Sequence, residues 1–476
     1  MSHRTLHFSA VLLRLSAVAA LSTLAACTSQ NVLTDATGSG AAQPTSATPV
    51  EAPGAAPGSA VPVEASAPAA PVQTPGNPGN RPAGQLGQLG QPNSAQLADA
   101  TASNAFTLAM YPLVATEDNL VVSPFNARLA LSMLAIGSAG TTRTQFLQAL
   151  HFAADADMAS QGGSTLQRYR ELAGTGTRSA DGVIQGLSLY NATSVWPASQ
   201  IQLLAPWTQS MRTSYGSEVT PLNYAADPEA ARSQINSWTS DQTRTLIPNL
   251  IPPGGVDTNT RLVVVSATYF LGAWQRAFDP ARTRPLPFTS PAGQTADRPA
   301  MTQRATFAYL QTPELQIVRM PYAGEQLSMV LAMPLQSTAP DWVSSQTAES
   351  FAALLSNLGR AEIDLEVPRF RTETALSLNQ AVQQLGVTDA FGQAADFSGV
   401  TTDTSLSIDS IIHKAVIEVT ESGTEAAAAT AVVTRSAGVV RTPRVQFNRP
   451  FAFFIVDDAT GLILFAGHVN DPVAPT

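Results

Sequence analysis

Between Glu421 and Gly438 the chain reads ESGTEAAAATAVVTRSAG, with four alanines in a row and strand-like sequence on either side. Alanine is the best helix former, so the stretch taken alone predicts a surface helix. Yet IIHKAVIEVT before it alternates as a strand does, and VVRTPRVQFNRPFAFFIVDD after it is strand-like again. Counted in twos, Thr424, Ala426, Ala428, Thr430, Val432 and Thr434 share one face of an extended segment, none charged and none larger than valine. Glu425, Ala427, Ala429, Ala431, Val433 and Arg435 make the other face and carry both charges. Proline, which would remove a ladder hydrogen bond, is absent until Pro443, and Gly423 precedes the run as a pivot. The stretch is thus compatible with a helix, a loop or an extended strand whose small face packs inward.

The chain before this region divides in three. MSHRTLHFSAVLLRLSAVAALSTLAAC, residues 1–27, has a weakly basic start, an apolar stretch and small residues before a cysteine, the layout of an export signal. LAAC resembles the bacterial lipobox, which implies cleavage before Cys27 and lipidation of that residue. The expected location is a bacterial cell envelope, anchored without spanning, at the outer membrane and facing the periplasm or the exterior. An ordinary signal peptide with an incidental cysteine is the alternative. Residues 28–93 are Ala, Pro, Gly, Ser, Gln and Thr with almost no aromatic or long aliphatic side chains, a composition that cannot offset the entropy of ordering, and they read as a disordered tether. From Ser94 to Thr476 the composition is that of a folded domain.

Within that domain, helices are expected early and strands late, which makes the fold class α+β with large mixed β-sheets. NARLALSMLAIGSAG reads as a helix with Leu129, Met133 and Ile136 on one face. PEAARSQINSWTSDQT reads as another, with Asp227 as N-cap and Pro228 in its first position. RLVVVSATYFLGAW is too β-branched for a surface helix and predicts a buried strand. LSMVLAMP, AEIDLEVPRF and FAFFIVDDATGLILFAGHV predict further strands, the last with a turn at Asp458–Gly461.

Five stretches then carry a resemblance in one order: NLVVSPFNARLALSMLAIGSAGTTRTQFLQAL; INSWTSDQTRTLIPNLIPPGGVDTNTRLVVVSATYFLGAW; IVRMPYAGEQLSMVLAMP; SLNQAVQQLGVTDAF with ADFSGV; and IIHKAVIEVTESGTEAAAAT with FNRPFAFFIVDDATGLILFAGHV. The domain resembles the serpin family. The resemblance implies a serine protease inhibitor that acts as a suicide substrate through a reactive-centre loop exposed at about residues 421–443. A protease cleaves the loop, and its hinge, Glu421, Ser422, Gly423, Thr424, Glu425, Ala426, Ala427, Ala428, Ala429 and Thr430, enters the central sheet with the acyl-enzyme still attached. The family's usual spacing from the glycine matching Gly423 places the cleaved bond at Ala437–Gly438, with Arg435–Ser436 as the alternative. Alanine there suits elastase-like or subtilisin-like proteases, and arginine a trypsin-like one. Positions matching the family's gating residues are Ser123, Asn126, Ser266 and His413, with Trp238 and Arg369 at the entrance and Arg369 paired with Glu421. Relatives usually carry Ser at Asn126 and Asn at Ser266, so an exchanged pair bonding His413 with roles reversed is expected.

Other classes have little support. Nothing forms a GxSxG elbow, an HExxH pair or a P-loop, so no catalytic residue, cofactor or metal is expected and the chain is not read as an enzyme. One lysine among 26 basic residues and a net charge of −9 argue against a nucleic-acid partner. One cysteine excludes a disulfide framework within the monomer. The expected partner is a protease in a 1:1 covalent complex with a monomer, and the membrane is met only through the lipid. The rival reading is a serpin fold that no longer inhibits and serves as a tethered binding or scaffold protein.

Overall fold

The structure, a computed structural model, describes residues 89–475 apart from 117, 155, 171, 173–176, 179–183, 218 and 425–441. Residues 1–27 with Cys27, and Glu425 to Thr430, Arg435, Ser436, Ala437 and Gly438 of the loop, lie outside the described residues. At the start, the Leu89 amide donates to Gln326 Oε1 (2.6 Å) and Arg168 donates to the Gly90 carbonyl, so residues assigned by composition to the tether already lie on the folded body. Asn93 then opens the first helix with a capping box shared with Gln96.

The helices are α1 (Ser94–Val114), α2 (Pro124–Ala135), α3 (Gly140–Ala149), α4 (Met158–Arg170), α5 (Ala205–Tyr215), α6 (Pro228–Gln242), α7 (Ala339–Ser344), α8 (Ala348–Ser356) and α9 (Asn379–Gln384). The strands are β1 (Leu120–Val122), β2 (Thr177–Arg178), β3 (Ile184–Gln185), β4 (Leu187–Pro197), β5 (Leu262–Ala273), β6 (Arg284–Thr289), β7 (Thr295–Gln311), β8 (Leu315–Pro321), β9 (Leu327–Pro334), β10 (Gly359–Pro368), β11 (Phe370–Ser377), β12 (Ser410–Val419), β13 (Gly423–Thr424), β14 (Arg444–Gln446), β15 (Phe451–Asp457) and β16 (Ile463–Val469). Among the described residues they make a nine-stranded sheet, β1-β16-β15-β9-β8-β7-β10-β14 with β6 beside β7, a five-stranded sheet of β4, β5, β12, β11 and β13, and the β2–β3 pair.

Local chemistry explains most boundaries. Asp227 accepts from the Ala230 amide and Pro228 occupies the first position of α6. The run AEIDLEVPRF is one stretch of sequence but two strands. β10 ends at Pro368 in the nine-stranded sheet, and β11 begins at Phe370 in the five-stranded one, with Arg369 at the crossing. α2 is buried at every one of its 12 residues, not along one stripe, because β4, β5, β16 and three helices pack around it. It therefore acts as a post between the sheets, and its N-terminus is where the gating cluster forms.

Candidate functional site

The five-stranded sheet has one unusual seam. β11 pairs β12 antiparallel and β4 pairs β5 antiparallel, but β12 and β5 run parallel, from Ser410 opposite Val263 to Val416 opposite Tyr269. Beyond Tyr269 this pairing stops while β5 continues to Ala273. The chain leaves β12, turns at Glu421 and Ser422, and returns as β13 with Gly423 opposite Ala273 and Thr424 opposite Gly272, antiparallel to β5. A strand placed between two parallel neighbours can be antiparallel to both, and the direct continuation of β12 reaches that position by a single reversal.

The turn is fastened tightly. Thr420 and Gly423 exchange backbone hydrogen bonds of 2.8 and 3.3 Å, and Phe278 N–H donates to the Glu421 carbonyl at 2.6 Å. Trp274 makes two bonds at 2.9 Å, from its backbone N–H to the Ser422 carbonyl and from its indole N–H to the Thr420 carbonyl. Gly423 is required by contact: a Cβ there would lie 2.1 Å from the Gly272 carbonyl oxygen. Thr424 is fully buried, its Oγ1 2.6 Å from the Tyr322 hydroxyl, and Tyr322 stacks on Trp274 at 4.6 Å. Glu421, Ser422, Gly423 and Thr424 are thus the described part of the hinge, and they are buried, not projecting. Arg369 Nε stands 3.6 Å from Glu421 Oε2, within ion-pair range but too far for a hydrogen bond, while Glu421 Oε1 accepts from the Thr283 hydroxyl at 2.6 Å. Ser422 Oγ is buried with no partner among the described residues.

Lower on the seam, the α2 N-terminus stitches the strands together. The Ser123 amide donates to His413 Nε2 (3.0 Å), which leaves Nδ1 to carry the hydrogen of the neutral ring and donate to Ser266 Oγ (3.0 Å). That last bond crosses from β12 to β5. Ser123 Oγ donates to the Leu464 carbonyl of β16 and accepts from the Asn126 amide. The exchanged-pair expectation is corrected in half. Ser266 meets His413, but the Asn126 side chain donates to the Ala267 carbonyl (3.1 Å) and accepts from the Thr193 hydroxyl, bracing β5 and β4 instead. The reason is reach: Asn126 lies one helical turn beyond Ser123, and its amide meets the strand backbone before the imidazole.

Trp238 is a second correction. It lies in α6, its ring 5.5 Å from that of Trp196, and Trp196 pairs with Val263. The hinge pairs with Ala273, ten residues further along β5, a separation of roughly 33 Å. The aromatic at the entrance is Trp274. Sequence reasoning missed it, with Tyr322 and Thr283, although YFLGAW ends the strand that the returning loop must join.

Full burial pushes the His413 pKa down to about 4. Protonation at Nε2 would also set two donors, ring and Ser123 amide, against each other. The sign follows: the unfolded chain takes up a proton below about 6.5 and the native ring does not, so this contribution is complete above that pH and is lost as pH falls through about 4. The expected loss is about 3 kcal/mol in all. The thermal midpoint should therefore fall from pH 7.5 to 4.5, with a shallower slope in His413→Gln. His468 and His151 are also lowered, chiefly by burial, and contribute slope of the same sign that the variant leaves in place.

The five-stranded sheet thus has a parallel seam, closed at mid-height by a histidine bond and carrying at one end the start of the adjacent loop as β13. A family model described as Serpin (serine protease inhibitor) matches residues 101–472. The chain belongs to the serpin family. It is 32% identical over 376 residues to an uncharacterized serpin-like protein of Methanosarcina acetivorans, covering 78% of this chain and 86% of that one. It is 32% identical over 364 residues to the leukocyte elastase inhibitor of Sus scrofa, covering 74% and 93%. The native-state structure of a thermophilic serpin, tengpin, is similar with a TM-score of 0.70 at 25% identity, covering 81% of this chain and 96% of that one. Protease-inhibitor-type function is the family's general property, and the α+β class with mixed sheets is the family's fold.

Proposed function

We propose that this protein is a suicide-substrate inhibitor of a serine protease. The observation that carries this reading is Thr424, buried antiparallel to β5 at the open end of the β5–β12 seam. Continuing that register would bring Ala426 opposite Phe270, Ala428 opposite Thr268, Thr430 opposite Ser266 and Val432 opposite Val264. Every one of these is on the small, uncharged face. Insertion would part the parallel β5–β12 ladder and the Ser266–His413 bond, which together set the barrier that keeps the intact form in place.

In the proposed reaction the protease serine attacks the Ala437 carbonyl, the Ala437–Gly438 bond breaks, and the new Gly438 amine leaves with a proton from the enzyme. Ala437 stays esterified to the serine and is carried along by the inserting hinge. Arg435–Ser436 is the alternative bond; cleavage there would shorten the inserted strand by two residues, about 6.6 Å. An elastase-like or subtilisin-like target is supported by the small residue at Ala437 and by the relative named for leukocyte elastase inhibition.

Incubation with elastase, subtilisin and trypsin followed by denaturing electrophoresis tests this. A band at the summed mass is expected with at least one of them. Complete cleavage with no such band from any of the three selects the tethered-scaffold reading. We further propose attachment through lipidated Cys27 to a bacterial outer membrane. Cys27→Ser should then move the protein from the membrane to the soluble fraction, and unchanged fractionation overturns the anchor.

A further inference from the structure

The geometry points to a binding site for a small amphipathic organic acid beside the hinge, in the cavity between the end of β5, the middle of β7 and the end of β8. The cavity is about 280 Å³ and is lined by Trp274, Arg276, Gln303, Phe307, Met320 and Arg360, among others. Trp274, Phe307 and Met320 are buried and give it apolar walls. Arg276 and Arg360 line it from its exposed rim.

Two observations assign the ligand's chemistry. The first is the pair of arginines. Neither has an ion-pair partner among the described residues, although carboxylates stand nearby. Asp364, on the same face of β10 as Arg360, is taken by both arms of Arg304 at 2.9 and 3.0 Å, and Glu362 between them also acts on Arg304. Glu325 accepts from the Gln275 amide. Two guanidinium groups without partners at one cavity mouth favour an anion with oxygen acceptors.

The second is Gln303. It is 6% exposed, and its Nε2 donates to the Arg276 (3.1 Å) and Ala277 (2.6 Å) carbonyls, which fixes the orientation of the amide. Oε1 is then left buried without a partner among the described residues. A buried acceptor in that state favours a ligand that carries a donor. The site therefore suits an aromatic or similarly apolar body with an acid group toward the arginines and an N–H or O–H toward Gln303. Its inner wall is the same Trp274 whose indole holds the turn at Thr420.

The test uses the full chain and 8-anilinonaphthalene-1-sulfonate, which has an apolar body, a sulfonate and one N–H. Titration by dye fluorescence should show saturable one-to-one binding. The Arg276→Ala/Arg360→Ala double variant should bind about tenfold more weakly or worse, with an unchanged thermal midpoint. Arg298→Ala, which changes an arginine paired with Asp471 outside the cavity, should bind as the parent does. Neutral N-phenyl-1-naphthylamine should bind at least about tenfold more weakly than the sulfonate. Failure of the dye to saturate, equal affinity in the double variant, or equal affinity for the neutral amine each overturns the proposal. None of these readings involves a protease, so they stand apart from the inhibition assay.

Discussion

Thr424→Arg should turn a protease trap into a protease substrate. Thr424 has no solvent exposure, and its hydroxyl meets Tyr322 within a shell of aromatic rings formed by Phe270, Trp274 and Tyr322. A guanidinium placed there is either buried without a counter-charge, at about 3–5 kcal/mol, or keeps the hinge out of the sheet. Both outcomes slow insertion, and 1.4 kcal/mol is a factor of about ten in a rate. The cleavage step, at a bond more than ten residues away, is untouched. The number of inhibitor molecules consumed per protease inactivated should therefore rise at least about tenfold, with cleaved inhibitor accumulating at the parent rate. Thr424→Ser, which keeps the hydroxyl and the size class, should behave as the parent. An unchanged yield of covalent complex in the arginine variant would count decisively against insertion.

Nicking the loop between Arg435 and Gly438 with a protease that is then removed should raise the thermal midpoint by about 15 °C. About a dozen residues would gain ladder hydrogen bonds on both sides of the seam at about 1 kcal/mol each, and a domain of this size gains roughly 1–2 °C per kcal/mol. The parallel bonds broken between β5 and β12 are replaced by antiparallel ones and do not reverse the sign. Differential scanning calorimetry of intact and nicked protein gives the answer directly. Equal midpoints would remove the free-energy difference on which the inhibitory reading depends.

How far the sequence predicted this arrangement differs from residue to residue. The inward placement of Thr424 was legible because side chains alternate along any extended segment, whatever it packs against, and Thr424 points into the core in the structure. β5, β9 and the cap of α6 were legible because local chemistry decides them. The complete burial of α2 was not, since Leu129, Met133 and Ile136 mark a stripe while the remaining faces are covered only once both sheets exist. Trp238 was misplaced because matching letters along a helix says nothing about which end of β5 that helix covers. Register decides that, and it assigns the entrance to Trp274. Asn126 shows the same limit at smaller scale, because which of two nearby acceptors an amide reaches depends on where the helix sits against the strands.

The fixed reversal at Glu421 and Ser422 imposes a parity rule on this molecule. Because Trp274 and Phe278 pin the carbonyls of the turn, chain length added after Gly423 cannot be absorbed by slippage at the bend. An odd number of extra residues there would swap the two faces of the proposed inserting strand and turn Glu425 and Arg435 inward, whereas an even number would return each side chain to its own side. If the hinge enters the sheet as proposed, the stretch next to the bend can be lengthened or shortened only in steps of two without losing its inward face.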